Sequence, residues 1–396
     1  MHAVNRTKIS AYFTASLLYW AAQYIYVPTL PEFVKARVGS LTAVGVVLSM
    51  YGLWSAILRV PVGIVVDATG RAKSTMVGGF LLAGLGALVM SGGGSAGALT
   101  FGRALTGAST ATWVPVMVVF AAFFPPEKAV FATSLLAVSS SLGQVVATGS
   151  TGFLNELGGY PLAFYVAAGL AVISTAIIVM VRLPAPDRAR THQVSWRSIL
   201  SIFSRPDVLL PSFASAICQF GVWAIVFAFL PLLARQLGAG AIAVSLLMTT
   251  NLVANTAANL FATLTVRKGA ERPFLYGSFI LFGGGALLTA FSTTVPLLFA
   301  ATFLMGAANG IFYPILLGLS IQRVDLPHRT TAMGIHQAVY ALGMFAGPWI
   351  GGVIADALGF RAMFGIMAGF CVIVASVLVA VIPGRARVIE SDIGAA

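Results

Sequence analysis

The sequence predicts an all-helical protein that crosses a membrane twelve times in two related six-helix halves. Three observations carry that prediction: composition, segment length and an internal repeat. Of 396 residues, 59% are hydrophobic and 9% charged, and the mean hydropathy is +0.95. That is more apolar surface than a water-soluble fold of this length can bury. Apolar segments long enough to span a bilayer follow one another along the chain. Six landmarks, Gly143, Gly152, Glu156, Gly159, Phe164 and Gly169, recur 200 positions later as Gly343, Gly352, Asp356, Gly359, Phe364 and Gly369. Leu30-Pro31 likewise recurs as Leu230-Pro231. So many coincidences at one offset indicate a parallel duplication.

About 20 apolar residues cross a bilayer, and that length divides the chain into spans. In the first half they are 9–26, 41–66, 75–91, 98–124, 130–153 and 160–181. In the second they are 209–233, 242–266, 273–291, 295–321, 331–354 and 362–382. The halves are therefore residues 1–182 and 209–396, joined by a linker at 183–208. Within the linker, Trp196, Ile199, Leu200 and Phe203 recur at helical spacing, as in a short amphipathic helix on the membrane surface; a plain mobile linker fits as well. The first apolar run continues past Tyr19 to about Val27 with no small-residue cleavage pattern, and reads as a retained span rather than a signal peptide.

The net charge of +12 would suit a nucleic-acid binder, but the cations lie in short connections between apolar segments. There they report orientation. With the N-terminus cytoplasmic, 17 of the 23 Lys and Arg face the cytoplasm, 4 face the opposite side (Lys35, Arg37, Arg235 and Arg361), and Arg59 and Arg103 lie within spans. Both termini are thus expected to be cytoplasmic, and a lipid bilayer, not a nucleic acid, is the expected partner. Cys218 and Cys371 sit in apolar segments without ligand-like neighbours, so neither a disulfide nor a metal site is expected.

The most informative stretch is Arg59 to Lys73, RVPVGIVVDATGRAK. Arg59 lies eight residues before Asp67, about 12 Å deeper into the hydrocarbon on a helix. Gly63, one turn before Asp67, would let a neighbouring helix approach closely. Gly70, Arg71 and Lys73 then make a short basic turn. The G-x-x-x-D-x-x-G-R-x-K spacing resembles the loop signature of the major facilitator superfamily, with Ala68 where that family usually carries a base. The resemblance extends over essentially the whole chain. It implies two six-helix bundles around a central cavity lined by helices one, four, seven and ten. Asp67, Gly63, Gly70 and Arg71 would then gate the cytoplasmic side. The second copy of this stretch, around Arg267, Lys268 and Gly269, lacks the acid, so the first latch is expected to be the stronger.

Arg103 and Gly107 resemble the family's fourth-helix signature. An arginine in hydrocarbon needs a cavity or a partner, and Arg103 fits either an anion-binding or coupling role or a structural one. Gly343, Gly347, Pro348, Gly351 and Gly352 resemble the signature that drug antiporters carry on helix five. Here it stands on helix eleven, with Ala147 and Thr148 replacing Gly-Pro in the first half. Close packing and a bend are what these residues provide, so Gly347 and Pro348 read as a hinge.

Arg59 in R-x-P-x-G resembles the second-helix arginine that nitrate and nitrite porters use on their anion, and also the R-P-x-x-G of many metabolite exporters. Its repeat partner is Asn259, where nitrate porters have a second arginine. Asn251, Asn255 and Asn259 share a face of the eighth span, and cavity lining is favoured over interhelical hydrogen bonding. Tyr19 and Gln23 on helix one, their repeat partners Gln219 and Trp223 on helix seven, Trp113 on helix four, and Asn309 and Tyr313 on helix ten complete an amphipathic set. On helix eleven, His336, Gln337 and Tyr340 include the one histidine within a span. His336 suits either a coupling proton or a structural hydrogen bond. All eleven acids lie at span ends, in connections or in tails. A site with arginine and no acid favours an anionic or neutral hydrogen-bonding substrate over a cation.

The resemblance implies a monomeric secondary transporter in the cytoplasmic membrane of a bacterium, moving a small organic molecule or metabolite by alternating access. Proton-coupled efflux is one form, which the Pro28, Leu30, Pro31 pattern after helix one favours. Uptake or exchange of a small anion centred on Arg59 is the alternative. No nucleotide-binding or nucleophile motif appears, no cofactor is implied, and a membrane sensor or enzyme is disfavoured for want of a soluble domain or a catalytic cluster.

Overall fold

The computed structural model describes residues 3–125, 128–184, 201–267, 269–325 and 328–382. Most of the linker read as amphipathic, including Trp196, Ile199 and Leu200, lies outside the described residues. So do the side chain of Asp67 and the position of Lys268.

Among the described residues the chain is helical throughout, with no strand. In the first half, α1 (Ala3–Tyr24) leads through a 3-10 turn (Val27–Thr29) into α2 (Leu30–Val38). Then come α3 (Leu41–Thr69), α4 (Ala72–Ser91), α5 (Ala96–Thr110), α6 (Trp113–Ala121) and α7 (Ala129–Met180). In the second half, α8 (Pro206–Val222) passes through a π-helical segment (Trp223–Phe229) into α9 (Leu230–Gln236). After it follow α10 (Ala241–Thr265), α11 (Glu271–Phe291), α12 (Val295–Ile321) and α13 (Arg329–Val381).

Nine helices or helix pairs among the described residues are long and apolar enough to cross a membrane. Two of them, α7 and α13, are of double length and fold back at repeat-related glycines. Gly159 (φ 69°) and Gly359 (φ 80°) take left-handed backbone conformations that break each into two helices. The caps are those expected of sharp turns. Ser40 and Ser95 accept from backbone N–H groups at the starts of α3 and α5, and Gly70 (φ 66°) closes α3.

The two halves meet along two seams related by the duplication: α3 against α13, and α7 against α10. Glycine makes both possible. A Cβ on Gly52 or Gly352 would collide with the backbone of the facing helix, at Met344–Phe345 and Leu41–Thr42 respectively. On the other seam Gly152 faces Ala241 and Ile242 in the same way. Gly343 and Gly347 turn to the opposite side of α13 and pack on Ala216 and Phe220 of α8. The motif on the eleventh span therefore holds α13 between α8 of its own half and α3 of the other. One apolar core runs through both halves, including Tyr26, Phe33, Tyr51, Trp223, Phe229, Phe312 and Phe364. Cys218 and Cys371 are free thiols buried within it.

Candidate functional site

The first helix of each half breaks at the same repeat position. Pro31 and Pro231 lack the N–H that a continuous helix would use, and the chain answers with the 3-10 turn before Leu30 and the π-helical segment before Leu230. A third break separates α5 from α6. The hydroxyls of Thr106, Thr110 and Thr112 bond back to the carbonyls of Arg103, Gly107 and Ser109 at 2.9, 2.7 and 2.7 Å. Such back-bonding competes with the helix ladder, and irregular backbone at membrane depth persists only where other groups satisfy it.

Those groups belong to the polar site. Arg59, 5% exposed, donates from Nη2 to the Thr110 carbonyl (3.4 Å) and to Ser55 Oγ (3.1 Å). Its Nη1 crosses to the other half and donates to Gln337 Oε1 at 2.8 Å. The Tyr340 ring centre lies 5.8 Å from the guanidinium carbon. Beside this group, Gln23 Nε2 donates to the Thr106 carbonyl, Ser109 Oγ and Tyr19 Oη, each at 3.2 Å. The Tyr19 hydroxyl pairs with Ser109 at 3.0 Å and its ring stacks on Phe80 at 4.3 Å. Gln23 Oε1 and Arg59 Nε are buried without a partner.

The second half faces this cluster with its own. Gln219 Nε2 donates to Asn309 Oδ1 (3.2 Å). His336, fully buried, bonds Ser212 through Nδ1 (3.1 Å) and leaves Nε2 unpaired. The rings of Tyr313, His336 and Tyr340 lie 5.7 to 6.4 Å apart. Electrostatically the centre is cationic: Arg59 and Arg103 are buried, and no Asp or Glu is buried among the described residues.

Other residues singled out in the sequence lie away from Arg59. Trp223 stacks on Tyr51 (5.0 Å) and Phe227 (4.7 Å), and Tyr51 in turn carries the Arg103 guanidinium on its face at 4.2 Å. Trp113 meets Trp20 edge-on at 5.1 Å inside the first half. Asn255 and Asn259 are half-buried where the backbone of α10 crosses Gly310. Asn251 departs from the cavity-lining expectation for the three amides: its Nδ2 donates to the Thr302 carbonyl at 2.9 Å, an interhelical bond. Nothing lies within 4 Å of where a Cβ on Gly63 would be, so in this state no described helix makes the close approach that its spacing permits. Ser55, Ser109 and Thr110 hold the cluster together and were not singled out from the sequence. Ser55, one helical turn before Arg59, is the one whose spacing gave a signal.

The two ends of the inter-half seam differ. At the end carrying Glu32, the halves are latched. Glu32 and Arg235 form an ion pair at 2.7 Å. The Asp356 carboxylate accepts from the N–H of Leu41 (2.9 Å), the N–H of Thr42 (2.7 Å) and the Thr42 hydroxyl (2.6 Å), capping α3 from the opposite half. At the end carrying Asp67, Gly63, Gly70, Gly318 and Gly334 face open space. Contact there is apolar, with Val60 and Ile64 resting on a cluster that includes Ile335 and Val339. Arg71 precedes α4 and is exposed.

Two pseudo-symmetric halves joined through a buried polar centre, latched at one end, match a known architecture. The sequence profile of the Major Facilitator Superfamily fits residues 12–240 and 212–395. An MFS-type transporter of Methanocaldococcus jannaschii is 22% identical over 341 residues, covering 84% of this chain and 86% of its own. A point mutant of the nucleoside transporter NupG superposes with a TM-score of 0.79 at 15% identity, covering 94% of this chain and 99% of the other. The human organic anion transporter MFSD10 superposes with a TM-score of 0.72, also at 15% identity, covering 95% and 100%. At that identity the two structures speak for the fold alone. The chain belongs to the major facilitator superfamily of membrane transporters.

Proposed function

We propose that this transporter moves a small organic anion, or a neutral solute rich in hydrogen-bonding groups, by alternating access around Arg59. The observation that carries the reading is the Arg59–Gln337 bond, a buried cation reaching from one half to the other with no acid buried beside it among the described residues. A solute carrying negative charge or several acceptors replaces Gln337 and Thr110 as the partner of the guanidinium. Gln23, Gln219, Asn309, Tyr313 and Tyr340 supply further polar contacts from both halves, with Tyr19 behind Gln23. Asn255, Asn259, Trp113 and Trp223 are the flanking positions. Twelve traverses follow when α7 and α13 are each divided at their glycines and α1 is counted. The excess of Lys and Arg at the Asp67 end supports a cytoplasmic position for that end. The latched Glu32 end is then external, and the cytoplasmic end is held in this state by apolar contact alone, with Asp67, Gly63, Gly70 and Arg71 as the residues that would latch it in the opposite state and Gly347 and Pro348 flexing between them.

Proton-coupled efflux is the second reading, favoured by the bare Nε2 of a fully buried His336, with the buried Arg103 as a second, separate coupling candidate. Ligand-induced stabilisation separates the two. A ligand that binds the folded state raises the melting temperature with the logarithm of its concentration. Organic anions stabilise wild type and fail with Arg59→Ala if Arg59 holds the solute. Stabilisation by lipophilic cations that survives Arg59→Ala would sink the anion reading and return Arg59 to a structural role.

A further inference from the structure

On the outer face of the first half, α4 and the arm of α7 after Gly159 leave a groove of about 270 Å³ between them. Its walls are Gly78, Leu81, Leu85 and Leu88 of α4 and Ala168 and Val172 of α7. Gly84 and Ala171 form the floor, where a Cβ on Gly84 would meet the Ala171 methyl at 3.0 Å. The second half fills the matching place with side chains. Val372 lies against Gly283, where a Cβ would meet its Cγ2 at 2.6 Å, and Phe282 stands at the repeat position of Leu82. Ala83 occupies the position of Gly283 in the first half. Its methyl keeps Val172 from seating as Val372 does, and Val172 stays 57% exposed. The three leucines are likewise exposed on a membrane-spanning helix, so the groove opens onto hydrocarbon.

The same face of α4 continues to a basic end. Arg71, Ser74, Gly78, Leu81, Leu85 and Leu88 follow at steps of three and four, all of them exposed. Arg71 lies seven residues before Gly78, about 10 Å along the helix. Lys73 Nζ donates to the carbonyls of Val179 (2.7 Å) and Val181 (3.0 Å), tying this end of α4 to the end of α7. Arg182, next to Val181, is exposed. Neither α4 nor α7 beyond Gly159 carries an acid. We propose that this groove binds an anionic phospholipid, one acyl chain lying between α4 and α7 and the phosphate on Arg71, Lys73 and Arg182. The groove selects a chain long enough to pass Ser74 and reach Gly78, and the cations select negative charge at that membrane face. The site lies wholly within the first half, away from Arg59, and does not depend on which solute is transported.

The test measures melting of the purified, delipidated full-length protein with phosphatidylglycerol or with phosphatidylcholine of the same long acyl chains. Phosphatidylglycerol is expected to raise Tm by about 2–4 °C more than phosphatidylcholine. Nothing lies within 4 Å of a Cβ on Gly78, so Gly78→Phe fills the groove without a backbone clash and should abolish the difference. Gly277→Phe, at an equally open glycine of α11, should keep it, and Arg71→Gln combined with Arg182→Gln should lose it. Equal Tm with the two lipids in wild type, or a difference that Gly78→Phe retains, overturns the proposal. So does a wild-type dimer that Gly78→Phe turns monomeric, which gives the groove to a second copy of the chain. Should Gly78→Phe fail to fold, photocrosslinking of wild type decides. Phosphatidylglycerol with a diazirine on its acyl chain must label the protein between Gly78 and Leu88 or between Ala168 and Val172. Labelling only elsewhere overturns the site.

Discussion

Replacing Gln337 by alanine removes the one acceptor through which Arg59 bonds to the opposite half. The bond is short (2.8 Å) and charge-assisted, between side chains each about 5% exposed. The remaining Arg59 partners, Ser55 and the Thr110 carbonyl at 3.1 and 3.4 Å, belong to its own half and do not replace it. A buried hydrogen bond to a charged group is worth about 1.5–3 kcal/mol, and removing its acceptor leaves a second guanidinium nitrogen bare beside Nε. Gln337→Ala should therefore lose about 1.5–3 kcal/mol of stability without ligand, roughly 3–6 °C in Tm at about 2 °C per kcal/mol. The specific assay is a double-mutant cycle with Arg59→Met, read by thermal unfolding. If the side chains bind each other across the seam, the double variant loses less than the two singles together, by about 1.5–3 kcal/mol. A coupling energy within about 0.5 kcal/mol of zero, as for independent sites, would refute the bond as the link between the halves.

Two further outcomes follow from the latched end. Asp356→Ala removes the carboxylate that caps α3 from the other half; a cap is worth about 0.5–2 kcal/mol, and thermal unfolding should show that loss while Glu156→Ala, its repeat partner, stays within about 0.5 kcal/mol of wild type. Gly45→Val places methyl groups against the Pro348 carbonyl of α13, and overpacking of this kind costs about 1–3 kcal/mol. It should force the Glu32 end apart, read as faster labelling of a cysteine introduced at Leu48; unchanged labelling would contradict the tight seam.

The spans were legible because bilayer thickness imposes a length on every traverse, and the start of α3 at Leu41 and the extent of α12 at Val295–Ile321 coincide with segments read from hydropathy. The duplication was legible because glycine and proline have few substitutes where backbones touch or a helix must end: Gly143 and Gly343, Gly152 and Gly352 do the same work in each half. The breaks were less legible. The span at 98–124 reads as continuous, yet three threonines bonding back to the ladder part α5 from α6. Pairings across the seam were not legible at all, since Arg59 to Gln337 and Asp356 to Thr42 join residues roughly 300 positions apart by geometry alone. Gly63 teaches a different point. A small residue permits close approach without requiring it, and one conformation need not use every contact that its sequence allows.

Solute flux into liposomes containing the purified protein tests the central claim most directly. The account predicts saturable movement of a small organic anion or a neutral polar solute, abolished by Arg59→Ala in protein that still reconstitutes in folded form. Flux of lipophilic cations alone, undiminished in Arg59→Ala, would contradict it.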